Sequence, residues 1–93
     1  MNTVQFKTTL RNVKEVRKFA GDFPTKGLCA EKCIFLANLY SGLTDVLEKN
    51  YSLRDTDYVD IEFIMSLDDI KMLHKFNEEY PFDEFDDFIE DMT

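Results

Sequence analysis

A long helix through the middle of the chain is the feature that most limits how the protein can fold. Apolar residues between positions 28 and 49 recur at alternating steps of four and three, the spacing of one face of an α-helix. This stripe consists of Cys29, Cys33, Leu36, Tyr40, Leu43 and Leu47, with Ala30, Ala37 and Val46 beside it. The pattern predicts a central helix over 28–49. A break near Gly42 is allowed, because glycine weakens a helix by about 1 kcal/mol relative to alanine.

Three apolar residues of this segment, Ile34, Phe35 and Leu39, lie off the stripe. A helix that is apolar beyond one face must be covered on two sides. These residues therefore either contact a sheet and a second helix together, or form a seam between two copies of the chain. The sequence leaves both interpretations open.

The segments on either side of the central helix alternate between apolar and polar residues, which is typical of half-buried β-strands. The apolar positions of the first strand are Val4, Phe6, Thr8 and Leu10. Those of the second are Val59, Ile61, Phe63 and Met65. In the second strand, Asp60 and Glu62 fall on the opposite, solvent-facing side.

Two shorter helices are predicted after these strands. In the first, Asn12 is the expected N-cap and Gly21 the expected left-handed residue at the end. Its inward positions are Val13, Val16, Phe19 and Ala20, and its outward ones are Arg11, Lys14, Arg17 and Lys18. We interpret these four cations as a solvated face that pairs with the protein's own carboxylates; contact with nucleic acid is the minority interpretation.

The second of these helices begins with Ser66 and Asp69 in the pattern of a capping box and ends before Pro81. Its expected buried stripe is Leu67, Ile70, Leu73 and Phe76.

A final helix follows Pro81, with Asp83 as the expected N-cap. Its apolar side is Phe82, Phe85, Phe88, Ile89 and Met92, and its other side is acidic. The predicted fold class is therefore α+β: one domain over 1–93, with a small antiparallel sheet packed by about four helices, the last of them amphipathic and acidic.

The charge of the chain is segregated. Residues 1–50 contain eight Lys or Arg against five Asp or Glu, whereas residues 51–93 contain three against fourteen, giving +3 and -11 within a total of -8. A field of that sign repels nucleic acid and anionic membranes and attracts basic protein surfaces. No run of about 18 apolar residues and no signal-peptide pattern is visible, so we expect a cytoplasmic protein.

The sequence contains no pattern that predicts catalysis or a bound cofactor. His74 is the only histidine, and no phosphate-binding loop, nucleophile elbow or zinc-protease motif occurs. The two cysteines are expected to pack as small apolar residues rather than to bind metal. Asp55, Asp57, Asp60 and Glu62 do not form a calcium loop, because the required glycine and glutamate are replaced by Asp60 and Ser66.

Small size, a pI of about 4.5 and Phe-anchored acidic helices on an α+β body resemble the phage-encoded DNA-mimic inhibitors, such as antirestriction and anti-CRISPR proteins. Within that group the chain is most similar to the anti-restriction nuclease proteins of T-even phages. The likeness lies in charge layout and assigns no residue. It implies a dimeric protein that occupies the DNA-binding site of a restriction, nucleoid-associated or CRISPR protein in the host cytoplasm.

Two hypotheses follow. In the first, a non-enzymatic DNA mimic binds a Lys/Arg-rich groove through its carboxylates. Those residues are Asp55, Asp57, Asp60, Glu62, Asp83, Glu84, Asp86, Asp87, Glu90 and Asp91. In the second, the chain is an interaction module that uses Ile34, Phe35 and Leu39, and its acidity serves solubility.

Overall fold

The computed structural model describes residues 2–93 and contains two strands and four helices. Their order is β1 (Asn2–Thr9), α1 (Leu10–Asp22), α2 (Ala30–Lys49), β2 (Tyr58–Met65), α3 (Leu67–Glu79) and α4 (Asp83–Met92). The two strands pair antiparallel, which places Lys7 opposite Asp60 and Gln5 opposite Glu62. The predicted α+β class, with four helices and a small antiparallel sheet, is confirmed.

The helices cover one face of the sheet. The side chains that β1 and β2 turn towards the helices include Thr8, Val59, Ile61 and Met65, all of which are buried. Helix α2 contacts β2, α4 contacts β1, and α1 contacts both of these helices. The opposite face of the sheet carries Gln5, Lys7, Asp60 and Glu62 and is open to solvent.

The junction between β1 and α1 differs from the prediction. Leu10 begins α1 instead of ending the strand, because its N–H and that of Arg11 donate to the carbonyl oxygens of Asp57 and Asp55 and the chain turns there. The N-cap is Thr9, whose hydroxyl accepts from the Asn12 N–H at 3.3 Å. Asn12 is buried in the first turn of the helix, where its amide donates to Thr8 Oγ1 at 2.9 Å.

Gly21 does not end α1 in a left-handed conformation. The helix runs through Gly21 to Asp22, and the Phe23 N–H closes it on the Phe19 carbonyl. Gly21 instead allows α1 and α2 to approach each other, since a Cβ at this position would lie 2.7 Å from Tyr40 Cε2. The glycine that adopts a positive φ is Gly27, at 81° in the following turn.

Helix α2 is continuous through Gly42, but its buried face is rotated from the predicted stripe. Cys29, Ala30, Ala37 and Tyr40 are exposed. The fully buried residues are Phe35, Leu36, Leu39 and Leu43. The rotation follows from the neighbours of α2, because Phe35 stacks on Phe76 with ring centroids 6.0 Å apart and an interplanar angle of 7°.

For Phe35 and Leu39, the same rotation decides between packing within one chain and a seam between two copies. Phe35 and Leu39 belong to the core of a single chain, whereas Ile34 is 61% exposed.

The last two helices follow the sequence closely. The capping box of α3 forms, with Ser66 and Asp69 exchanging hydrogen bonds of 3.1 Å. Leu67, the first residue of α3, is predicted to be buried but is exposed. Asp83 is the first residue of α4, not its cap, and Phe82 occupies the cap position without a side-chain hydrogen bond.

None of the helices in the described part of the chain combines the length and apolar character needed to cross a membrane.

The contact between Gly42 and β2 gives a testable prediction. A Cβ at Gly42 would overlap the Phe63 ring, so we expect Gly42→Ala to lower the free energy of unfolding by about 1 kcal/mol. Overpacking typically costs about 1–3 kcal/mol, which exceeds the gain of about 1 kcal/mol in helix propensity. Urea unfolding measures the change. Ser41→Ala, at an exposed position of the same helix, should be neutral or stabilising; equal stability of the two variants would contradict the contact.

Candidate protein-binding surface

Two fully buried phenylalanines fix α4 to the body of the protein. Phe85 and Phe88 are both 0% exposed. The Phe88 ring meets Phe6 of β1 edge to face, with centroids 5.2 Å apart and planes at 89°. The Phe85 ring lies 5.2 Å from that of Phe19 in α1. The apolar side of α4 is therefore held by both the sheet and the first helix, as its spacing predicts.

Phe19 is the centre of an aromatic cluster that also holds the chain between α3 and α4. Its ring lies 6.0 Å from the rings of Phe76 and Tyr80 and 5.8 Å from that of Phe82. The Phe23 ring completes the cluster, with its centroid 5.2 Å from that of Phe76 and 5.1 Å from that of Tyr80. The turn at Pro81 is thereby fixed, and α4 starts from a defined position.

With its apolar side buried, α4 directs its carboxylates away from the body. At about 100° per residue, Asp83, Asp87 and Glu90 project within about 60° of one another and opposite Phe85 and Phe88. These three carboxylates, together with Glu84 and Asp86, form what we call the acidic face. Four of the five residues are exposed, and Glu84 is half-buried.

Asp91 differs from the other α4 carboxylates. Its Oδ2 accepts a 2.7 Å hydrogen bond from the Thr8 hydroxyl, and that threonine also accepts from Asn12. Asp91 is exposed, as predicted, but this hydrogen bond places it at the border of α4 and β1 and connects the helix to the sheet.

The acidic face has no counter-charge of its own. Three ion pairs form among residues 2–93, and none of them involves a carboxylate of α4. Only the helix dipole compensates part of this charge, because Asp83, Glu84 and Asp86 stand in the first turn.

The other four predicted site residues face cations or an amide within the chain. Asp55 pairs with Lys14 at 2.6 Å, Asp57 with Arg54 at 3.6 Å, and Asp60 with Lys7 at 3.9 Å. Glu62 accepts from the Gln5 amide at 3.2 Å. Of the four cations predicted on the outer side of α1, Lys14 forms an ion pair with one of the protein's own carboxylates, and Lys7 of β1 forms another.

The ten predicted site residues therefore fall into two groups, the six carboxylates of α4 and the four carboxylates of β2 and the loop before it. Asp60 and Glu62 project from the face of the sheet opposite the one that α4 contacts. Asp55 and Asp57 lie beside the start of α1, where their carbonyls accept hydrogen bonds from its first amides. Which carboxylates Lys7, Gln5 and Lys14 would contact was not predictable from the sequence, because the contacts join residues more than forty positions apart.

One carboxyl has a perturbed pKa. The hydrogen bond from the Lys14 ammonium holds the pKa of Asp55 below its ordinary value; desolvation opposes this, and the charges of Lys14 and Arg11 add to the lowering. Because the folded pKa is lowered, the ion pair stabilises the fold above the pKa of the unfolded carboxyl. That stabilisation is lost as the pH falls through the folded pKa.

No group of three or more His, Cys, Asp or Glu side chains is placed to hold a metal ion within residues 2–93. Both cysteines are free thiols; Cys29 is exposed and Cys33 is half-buried.

Comparison with known proteins gives no relative, since no family model, no curated protein and no solved structure matches the chain.

The anchoring of α4 gives a prediction. Phe88→Ala should lower the free energy of unfolding by about 3–5 kcal/mol, because it removes a fully buried ring and leaves a cavity between α4 and β1. Thermal and urea unfolding measure the loss. Tyr51→Ala removes an aromatic ring that is 87% exposed and should change stability by less than about 0.5 kcal/mol. A small effect of Phe88→Ala would mean that α4 is not anchored as described.

The ion pair of Asp55 gives a second prediction. In Lys14→Gln the pKa of Asp55 should rise towards its ordinary value, because the hydrogen bond and the nearby positive charge are both weakened. A ¹³C NMR titration of the Asp55 carboxyl measures the pKa directly. Lys26→Gln, in the turn after α1, serves as a control that removes the same charge elsewhere and should leave the titration unchanged. An unchanged Asp55 pKa in Lys14→Gln would contradict the assigned cause.

Proposed function

We propose that the protein is a non-enzymatic DNA mimic whose acidic face occupies the Lys/Arg-rich groove of a DNA-binding protein and excludes DNA from it. The observation that carries the proposal is a rigidly anchored helix with five outward carboxylates and no ion-pair partner within residues 2–93.

The linear charge density of α4 supports this proposal. The five carboxylates of the acidic face extend from Asp83 to Glu90, a distance of about 10 Å at about 1.5 Å per residue. That is one negative charge per about 2 Å, and duplex DNA carries one per about 1.7 Å of its axis. A groove built to neutralise DNA would therefore meet a similar charge along α4.

The absence of internal compensation also favours a charged partner. Neighbouring carboxylates at three- and four-residue spacing repel each other by a few tenths of a kcal/mol per pair. Elsewhere the chain places a cation or an amide opposite Asp55, Asp57, Asp60 and Glu62. On the acidic face it does not, and a Lys/Arg-rich groove would supply the missing counter-charge.

The four carboxylates outside α4 take a secondary part in this proposal. They are exposed or half-buried and still accessible, but each would have to give up or share its internal partner to contact another protein. Asp91 would likewise have to release Thr8. We therefore assign the main contact to Asp83, Glu84, Asp86, Asp87 and Glu90.

The partner class is a restriction, nucleoid-associated or CRISPR protein, met in the cytoplasm of a host cell, and the inhibitor itself is expected to act as a homodimer. Direct contact with nucleic acid is not part of the proposal, because the acidic face would repel phosphates.

The alternative, an interaction module that uses Ile34, Phe35 and Leu39, has less support. Phe35 and Leu39 are 6% and 2% exposed and already pack in the core. Only Ile34 remains available from that set.

The proposal is tested by reversing charge on the acidic face. The immobilised protein is used to capture proteins from a bacterial lysate, and the captured DNA-binding proteins are then displaced with salt or with duplex DNA. The triple variant Asp83→Lys, Asp87→Lys, Glu90→Lys should capture at least tenfold less of these proteins, because the central row of charge is inverted.

The matched control is the triple variant Asp22→Lys, Asp45→Lys, Glu48→Lys, whose three exposed positions lie on α1 and α2. It changes the net charge by the same amount and should keep the interaction. If both triple variants captured equally less DNA-binding protein, the net charge of the protein alone would explain the binding. Binding that resists salt and DNA would overturn the mimic mechanism.

A further inference from the structure

A cleft of about 350 Å³ lies between the first half of α2, the end of β2 and the start of α3. Its apolar walls come from Ile34, Phe35 and Leu39 of α2, from Phe63 of β2 and from Met72 of α3. Ile34 and Ile64 at its rim are 61% and 71% exposed. This is an apolar cleft that α4 and the acidic face do not reach.

The cleft runs along the edge of β2. Met65 points to the buried face of the sheet and Ile64 to the open face, yet both line the same cleft. The cleft therefore passes β2 at its last residues, and it lies on the edge away from β1, because no described residue of β1 lines it. Within residues 2–93, β2 pairs with β1 alone, so its other edge presents main-chain N–H and C=O groups without a strand partner.

The charge around this edge defines what could occupy it. The described residues that line the cleft include Glu31, Asp68 and Asp69 and no Lys, Arg or His. Further along β2, Asp60 and Glu62 project from the open face. Asp69 is engaged in the cap of α3; Glu31 and Asp68 line the cleft itself, and Asp60 and Glu62 would lie beside the outward side chains of an added strand.

The existing partner of β2 indicates which residues suit that position. Strand β1 places Lys7 opposite Asp60 and Gln5 opposite Glu62, with apolar Phe6 and Val4 directed to the core between them. Cross-strand pairs of opposite charge stabilise a sheet, and like charges destabilise it. A strand on the free edge would meet the same carboxylates and, at Phe63 to Met65, the apolar cleft next to them.

We propose that the free edge of β2 binds an extended polypeptide segment of another protein in which aliphatic residues alternate with Lys or Arg. The segment adds a third strand to the sheet; its aliphatic side chains enter the cleft, and its basic side chains pair with Glu62 and Asp60. Main-chain hydrogen bonds supply affinity and the two side-chain rows supply selectivity.

A second copy of this chain is a poorer occupant. Antiparallel pairing of two β2 edges would bring Asp60 and Glu62 of both copies together, and each copy carries a net charge of -8. The acidic residues of β2 thus disfavour self-pairing and favour a basic segment.

The test uses synthetic octapeptides and the full-length protein. Binding of an alternating Val/Lys octapeptide is measured by fluorescence anisotropy and compared with a block peptide of four Val followed by four Lys. Two further alternating peptides carry N-methyl groups on either the odd or the even residues, which removes the main-chain donors of one edge or the other. We expect the alternating peptide to bind at least tenfold more tightly than the block peptide. Of the two N-methylated peptides, we expect only one to lose binding.

Variants of the protein locate the site. Ile34→Lys and Glu62→Lys should each weaken binding of the alternating peptide at least tenfold, and Asp87→Lys on the acidic face should leave it unchanged. All three positions are exposed, so the variants should fold, and the comparison of the N-methylated peptides does not depend on them.

Several outcomes would overturn the proposal. Equal binding of the alternating and block peptides would show attraction by net charge alone. If N-methylation of the odd residues and of the even residues changed binding equally, strand addition would be excluded. If sedimentation showed that the protein forms a dimer and that Ile34→Lys abolishes this dimer, the edge would be assigned to a second copy of the chain.

Discussion

The position of α4 depends on the burial of aromatic rings around Phe19. This ring contacts α3, the turn at Pro81 and α4 together, while Phe88 joins the same helix to the sheet. Removing a buried phenylalanine typically costs about 3–5 kcal/mol, and repulsion between neighbouring carboxylates is a few tenths of a kcal/mol per pair. The aromatic anchor therefore outweighs the self-repulsion of α4, and an acidic segment that would otherwise be extended in solution becomes an ordered helix.

The distribution of counter-charge follows from this arrangement. Eight of the eleven Lys and Arg residues lie within residues 1–50, and β1 and α1 bring Lys7 and Lys14 to the carboxylates of β2 and the loop before it. Arg17 is engaged with Tyr40 and Thr44 instead. Helix α4 meets β1 and α1 through its apolar side, so its carboxylates point away from these cations. The carboxylates of β2 and of the loop before it therefore have partners within the chain, whereas those of the acidic face have no ion-pair partner within residues 2–93.

Most of the fold was readable from the sequence because its elements have strong periodicity. The second strand, the capping box of α3 and the apolar side of α4 were predicted at the residues where they occur. Some errors concern helix ends. Thr9 and Asn12 are both suitable N-caps by type, whereas α4 begins at Asp83 after Phe82, which residue preferences do not predict. Other errors concern the rotation of α2, because a helix apolar on two sides does not specify which residues face the core until its neighbours are known.

For the candidate site, the sequence by itself determined that the last helix is amphipathic, since the spacing of Phe85, Phe88 and Ile89 separates apolar from acidic residues whatever the fold. Only the tertiary structure decided which carboxylates keep an uncompensated charge. Asp55, Asp57, Asp60 and Asp91 are as acidic in sequence as Asp87, yet each has a partner. The physical reason is that Coulomb attraction and hydrogen bonding act over a few ångströms of space, and most of these partners, such as Lys14 for Asp55 and Thr8 for Asp91, are far apart along the chain.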